Sequence, residues 1–214
     1  MTQEELSELY GKPHFVEIKL SDMLEEIGEE DTKSILSYFS CPQNKDVETF
    51  LKTKAILFSQ RDLSKTTLVY WVSPDGLCKE LVGYYTVAHK VIRISRDSLN
   101  SAERRKLFGQ GKYDSDTREY IIPAPLIAQL GKNFTNGNNA LISGDELLSL
   151  AMQKIKLVQN EIGGRFAYLE CEDIEKLKEF YIDNNKFKLF GKRELDADET
   201  NIKGSYLLQL FTLL

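Results

Sequence analysis

The stretch from Leu126 to Leu148 holds the densest set of groups able to do chemistry in this 214-residue chain. An apolar run ends at Leu130, and a loop with Lys132, Gly137, Asn138, Asn139, Ala140 and Leu141 follows. Ile142-Ser143-Gly144-Asp145-Glu146 then opens a helix. The first turn of a helix carries backbone N–H groups without intrahelical partners, and the macrodipole makes that end partly positive. Gly and Asn tolerate left-handed backbone angles, so such a loop can curl its amides inward. Together these features suit an anion, phosphate above all. The same residues also carry a purely structural reading. Ser143 and Glu146 have the spacing of a capping box, Ile142 and Leu147 that of its hydrophobic staple. Asp145 in the first turn competes with an incoming anion for the same field.

Other reactive side chains are sparse. Cys41, Cys78 and Cys171 are odd in number and far apart. They fit neither a zinc site nor a disulfide framework, and read as reduced thiols. His14 and His89 are too few for a histidine-rich metal site, so no metal is expected. Arg104-Arg105-Lys106 is the one basic triplet, mixed with Glu103, Asp114, Asp116 and Glu119, and reads as a solvated surface.

The elements that position these groups follow from periodicity. His14 to Leu20 alternates as a short strand, and Val47 to Phe58 sets Val47, Phe50, Leu51, Ala55 and Phe58 on one helical stripe. Thr67–Val72 and Leu81–Ala88 are strand-like runs joined by Ser73-Pro74-Asp75-Gly76, a hairpin turn. The polar Ser95–Tyr120 connection is long enough to be a flap, an added helix or a disordered excursion. Ile121–Leu130 reads as a buried central strand, with a turn-rich loop from Gly131. A helix from about Gly144 to Val158 follows, its buried stripe being Leu147, Leu148, Ala151, Ile155 and Val158. Phe166–Glu170 is a strand. Asp173 is expected to cap a helix through about Asn184, with Ile174, Leu177, Phe180 and Tyr181 inward. Phe187–Phe190 and Tyr206–Leu214 close the chain as strands. The order predicts a mixed α/β layer fold, with a ligand where a strand end meets a helix start.

Composition sets the class. With 42% hydrophobic and 29% charged residues the chain is an ordinary globular one, read as a single domain with no linker or repeat. No apolar run approaches the ~18 residues of a membrane span, and the acidic start lacks a signal-peptide pattern. A cytoplasmic protein without a membrane partner is expected. The net charge of −5 argues against non-specific binding to nucleic acid. The apolar C-terminal strand leaves room for a homodimer across a sheet edge.

From about residue 14 onward the chain resembles the GNAT acetyltransferase superfamily, in particular bacterial members related to the acetyltransferase toxins of toxin–antitoxin pairs. Phe39-Ser-Cys41 followed by Val47, Phe50-Leu51 and Ala55 resembles their opening helix, and Leu81 to Ala88 their third strand. Ile122 to Leu130 resembles the central strand that holds the pantetheine arm. Gly144-Asp-Glu-Leu-Leu148 falls where the pyrophosphate loop ends and its helix begins, and Phe180-Tyr181 with Phe187 resembles their late aromatic segment. The chain departs from the family loop at Ile142, where a glycine is usual, and its loop is longer.

The resemblance implies a GNAT-like, mostly antiparallel sheet flanked by helices, in one domain with an insertion at about 95–120. It implies acetyl-CoA as co-substrate and acetyl transfer to a primary amine of a small molecule or peptide. The coenzyme would be held by Leu130, Lys132, Asn138, Asn139, Ala140, Leu141, Ile142, Ser143, Gly144 and Asp145, with an oxyanion donor near Leu130–Lys132. Tyr181 matches the tyrosine that protonates the leaving thiolate, and equally reads as an amphipathic core side chain. Glu170, Glu172 and His89 read as solvated strand-end residues and Cys171 as packing, so no general base is assigned. Acceptor pockets would come from Thr32–Ser40, Ser95–Tyr120 and Lys192–Lys203. Two alternatives stay open. One is a toxin acting on aminoacyl-tRNA, disfavoured by the acidic balance but consistent with the basic triplet. The other is a non-catalytic interaction protein that kept the fold.

Overall fold

The computed structural model describes residues 14–107, 109–197, 201–202 and 204–214. Two compact units share the chain. The first runs to Thr86 and takes in Gln129–Leu150, and the second comprises Val87–Ala128 and Ala151–Leu214. The architecture is mixed α/β, with a mostly antiparallel sheet in the strand order β1-β2-β3-β5-β6-β8-β7 and β4 paired to β5, as the sequence predicts.

The first unit opens with β1 (His14–Lys19), antiparallel to β2 (Lys65–Val72). Between them lie α1 (Leu20–Ser37), α2 (Lys45–Thr49) and α3 (Ala55–Gln60). Periodicity does not predict α1, because its buried positions are few (Leu20, Met23, Thr32 and Leu36) and Gly28 breaks its phase at φ 80°. A π-turn, Phe50–Lys54, joins α2 to α3 where a continuous helix is expected. The wider turn advances the phase, so Val47, Phe50, Leu51 and Ala55 all reach one core with Leu20, Phe39, Leu68 and Tyr84. Asn44 caps α2 by accepting the amides of Asp46 (3.0 Å) and Val47 (3.2 Å). β3 (Lys79–Ser95) follows the expected hairpin turn, closed by Ser73 N–H donating to Cys78 O (3.0 Å). The last residues of β5 (Glu119–Lys132), a 3₁₀ turn at Thr135–Ala140 and the first turns of α5 (Gly144–Ile162) complete the unit. The strand thus runs through Gly131 and Lys132, where a loop is expected.

The second unit packs Ile92, Ile94, Leu99, Ile122, Ala124, Phe166, Phe190 and Phe211 into its own core. The described residues of the Ser95–Tyr120 segment include a 3₁₀ turn (Arg96–Ser98), α4 (Ser101–Leu107) and β4 (Lys112–Asp114), which pairs antiparallel with the start of β5. β6 (Phe166–Cys171) runs parallel to β5 over two pairs, Leu126 with Tyr168 and Ile127 with Leu169. α6 (Glu175–Lys178) continues as a π-turn at Glu179–Asn184, then β7 (Lys188–Glu194) and β8 (Tyr206–Leu213) finish the chain.

Three expectations are corrected here. Val158 is 45% exposed, and Gln159, four residues after Ile155, takes its inward place with Nε2 donating to Phe166 O (2.6 Å). Asp173 does not cap α6: Ile174 occupies the cap position in extended conformation and is itself exposed. The Asp173 carboxylate instead accepts from Tyr206 Oη (2.6 Å) and pairs with Lys178 (3.2 Å). β8 is no free edge for a dimer, since β6 and β7 pair its two sides.

Candidate functional site

Every residue expected to hold the coenzyme lies in the first unit, on the continuous segment from the end of β5 to the start of α5. Close backbone approach fixes that segment. A Cβ on Gly83 would stand 2.8 Å from Gly131 O, and one on Gly131 would stand 2.3 Å from Val47 Cγ1. Only glycine fits at either place. Tyr84, fully buried beside them, donates its hydroxyl to Val47 O (2.6 Å) and meets Phe39 edge to face.

Asn133 is the hub of the loop, and nothing in its local pattern marks it as such. It is buried, its N–H donates to Val82 O (2.8 Å), and its Nδ2 donates to Leu81 O (2.9 Å). Its Oδ1 accepts the amides of Ser40 (3.0 Å) and Thr135 (3.1 Å). Asn138, also buried, donates Nδ2 to Glu80 (2.9 Å) and to Leu81 O (3.2 Å). Asn136 and Gly137 take φ of 53° and 78°, the left-handed angles that the Asn/Gly content permits.

Lys132 holds the far side of the turn. Its Nζ donates to Asn139 O (2.7 Å) and Ile142 O (2.8 Å), so the ammonium ties together two carbonyls of the turn. Ile142 is buried, and its side chain is core rather than loop lining. Leu141 N–H donates to Asn138 O (3.0 Å). Ala140 is exposed, and Asn139 and Leu141 are half-buried. The capping box forms as its spacing predicts: Ser143 N–H donates to Glu146 (2.7 Å), and Glu146 N–H to Ser143 Oγ (3.1 Å). The Ser143 amide holds the Glu146 carboxyl below the usual carboxylate range. Of the helix-start donors, the cap uses those of Ser143 and Glu146, and Gly144 begins the helix between them.

Tyr181 lies in the second unit, inside the π-turn Glu179–Asn184. It is buried, edge-on to Phe180 (4.8 Å between centroids) and Phe187 (5.8 Å). Phe187 N–H donates to its carbonyl (2.9 Å). Burial, with Cys171 beside it, raises its pKa above the ordinary phenol value, so it keeps its proton throughout the physiological range. Cys171 is buried and its thiol is pushed up to about 12 by that burial, an inert packing group. Glu170 is no strand-end bystander: it accepts from Arg193 Nε (2.8 Å) and Gln209 Nε2 (2.8 Å). His89 is exposed. Among the described residues no group of His, Cys, Asp or Glu is arranged to hold a metal ion, and no helix is long and apolar enough to cross a membrane. Of the expected acceptor segments, Lys192–Lys203 falls partly outside the described residues, at 198–200 and 203.

No family model and no curated protein matches the chain. Solved structures do. AtaT complexed with acetyl-methionyl-tRNAfMet is 17% identical with a TM-score of 0.60, over 94% of this chain and 95% of that one. A mutant of KacT is 16% identical with a TM-score of 0.59, over 93% and 94%. A mutant AtaT toxin bound to the C-terminus of the antitoxin AtaR and acetyl-CoA is 16% identical with a TM-score of 0.54, over 93% and 92%. At these identities the likeness speaks for the fold. The chain has the fold of AtaT and KacT, GNAT-fold acetyltransferase toxins of toxin–antitoxin pairs.

Proposed function

We propose that the protein is an acetyl-CoA-dependent N-acetyltransferase acting on a primary amine, as one GNAT-like domain with an insertion at 95–120. The observation that carries this reading is the likeness of nearly the whole chain to AtaT, which has been solved with acetyl-CoA. The strand–loop–helix from Leu130 to Asp145 supports it. Lys132 and Asn133 preorganise the turn, and Gly144 begins α5, where the dipole favours the coenzyme's phosphates.

The chemistry assigned to the chain's own groups is limited. Backbone amides near Leu130–Lys132 would receive the charge developing on the thioester oxygen. The amine nitrogen bonds to the acetyl carbon, the carbon–sulfur bond breaks, and the thiolate takes a proton from Tyr181 Oη. Burial raises the phenol's pKa, which keeps it protonated but makes it a weaker acid, so the coenzyme's arrival has to lower that pKa for the role. The amine's own proton passes to solvent, which in turn restores the proton on Tyr181; Glu170 is engaged by Arg193 and Gln209.

A small molecule or peptide is the acceptor class of this reading, on the ground of the acidic balance of −5. An aminoacyl-tRNA is the second reading, favoured by the AtaT complex with acetyl-methionyl-tRNAfMet. Thiol release from acetyl-CoA, followed against polyamines, peptides and charged tRNA, separates the two. Tyr181→Phe should lower turnover about 100-fold while leaving acetyl-CoA affinity nearly intact. Unchanged turnover removes Tyr181 from the proton-donor role.

A further inference from the structure

The short helix α2 carries two carboxylates, Asp46 and Glu48, that the fold treats differently. Glu48 serves the fold. Its Oε2 accepts the Cys41 amide (2.9 Å) and pairs with Lys45 (3.1 Å), and its Oε1 pairs with Lys52 (3.1 Å). Asp46 turns instead toward the central strand, where its Oδ2 accepts from Gln129 Nε2 (3.1 Å), 83 residues on in the chain and near the end of β5. Among the described residues nothing bonds to Asp46 Oδ1, and no cation pairs with Asp46. Both Asp46 and Gln129 are half-buried. A carboxylate partly withdrawn from water, with one neutral donor, lacks the positive partner that such a charge calls for.

The place of this pair gives it a use. Asp46 and Gln129 belong to the same unit as the segment from Leu130 to Asp145. Gln129 precedes Leu130, and Val47, which follows Asp46, lies against Gly131, where a Cβ would stand 2.3 Å from Val47 Cγ1. Tyr84 Oη donates to Val47 O (2.6 Å) and so holds the start of α2. The Asp46 carboxylate is therefore one glutamine side chain and one hydrogen bond from the β5 backbone beside Leu130, where the thioester oxygen would be received. Among the described residues no group of three or more His, Cys, Asp and Glu could hold a metal ion, so an organic cation is the partner that fits.

We propose that Asp46, steadied by Gln129, binds a second positive centre of the acceptor, so that the substrate is a small diamine or polyamine. The inference rests on the acetyltransferase reading above. An amine must be free of its extra proton to attack the thioester, and a carboxylate beside it favours the protonated form. Asp46 thus suits the nitrogen that does not react and stays charged while the other is acetylated. Hydrogen bonds between an ammonium and a carboxylate are stronger than neutral ones. This one is made alike before and in the transition state, so it lowers KM and leaves kcat nearly as it was. The acidic balance of −5 draws a small cation toward the protein.

Thiol release from acetyl-CoA on the full chain tests it, with putrescine and with butylamine, which lacks the second nitrogen. Asp46→Asn removes the charge and keeps an oxygen for Gln129. It should raise the KM for putrescine about tenfold, leave kcat nearly unchanged and leave butylamine unaffected. Gln129→Met, which does not touch α2, should raise the same KM a few-fold, and gives the reading if the Asp46 variant fails to fold. Glu30→Gln, the same charge change at an exposed place on α1, should alter neither amine. The proposal is overturned if Asp46→Asn affects both amines alike or neither, or if Glu30→Gln matters as much. Calorimetric titration with acetyl-CoA tells its failure from that of the reading beneath it. Where the coenzyme does not bind, both fall. Where it binds and butylamine, a peptide or charged tRNA is acetylated in preference to putrescine, or no amine is acetylated, the diamine inference alone falls.

Discussion

Two polar segments of this molecule use their charges in opposite ways. In the first unit, Lys132 donates to the carbonyls of Asn139 and Ile142, and Asn133 and Asn138 tie the same turn to β3. In the second, Arg96, Arg104 and Arg105 border an open surface hollow, while the carboxylates around them are engaged with other partners. A segment whose polar groups bond to one another is held in a single shape at a cost in free donors. A segment whose cations stand at an open surface without a carboxylate partner draws little stability from them. The first is therefore read as a preorganised frame that offers backbone amides, the second as a surface that offers side chains.

Substitutions can break this contrast, and the largest effects belong to the frame. Asn133→Ala removes the acceptor of two amides and a donor to Leu81 O in a buried place. It should cost about 3 kcal/mol in denaturant unfolding; a cost below about 1 kcal/mol would mean that the turn does not depend on its hub. Gly83→Ala brings a methyl against the backbone carbonyl of Gly131, which cannot rotate away. About 2 kcal/mol is expected from the shift in thermal midpoint. Lys132→Met, at a half-buried site, should cost about 1 kcal/mol and weaken acetyl-CoA binding as well. Retained affinity would show that the loop keeps its shape without the ammonium. Arg105→Ala, by contrast, should change stability by less than about 0.5 kcal/mol, and a larger loss would mean that the arginine is structural after all.

Acid sharpens the same comparison. Glu48 accepts the Cys41 amide and pairs with Lys45 and Lys52, and the Cys41 N–H foremost holds its carboxyl at about 2. A folded-state pKa below the unfolded one adds stability that is fully present above the unfolded value, in the usual glutamate range. That stability is lost as pH falls through the folded one. Glu48→Gln should therefore destabilise at neutral pH, with most of the difference gone near pH 2. A difference constant across that window would deny the carboxylate its role.

What the sequence discloses depends on how local each device is. The capping box at Ser143 and Glu146 closes over three residues, and both of its hydrogen bonds form as the spacing predicts. The turn at Ser73–Gly76 and most strands are equally local. Lys132 reaches a carbonyl ten residues on, and Asn133 reaches β3, so neither role can be read from neighbours in the chain. Gly83, alone in an apolar strand, was a usable sign of close backbone approach. The choice between Val158 and Gln159 turns on i+3 against i+4, which a stripe count does not resolve. The surface hollow of the insertion was illegible for the same reason as the hub: Arg96 and Tyr113 meet Arg104 and Arg105 only after β4 folds back on β5.

The central claim is that the strand–loop–helix from Leu130 to Asp145 is a frame for acetyl-CoA. Calorimetric titration of the intact chain with acetyl-CoA tests it most directly. The account predicts saturable, micromolar-class binding that Lys132→Met weakens and Arg105→Ala leaves unchanged. Absence of binding heat up to millimolar acetyl-CoA, with no rise in thermal midpoint, would contradict it and leave the fold without its coenzyme.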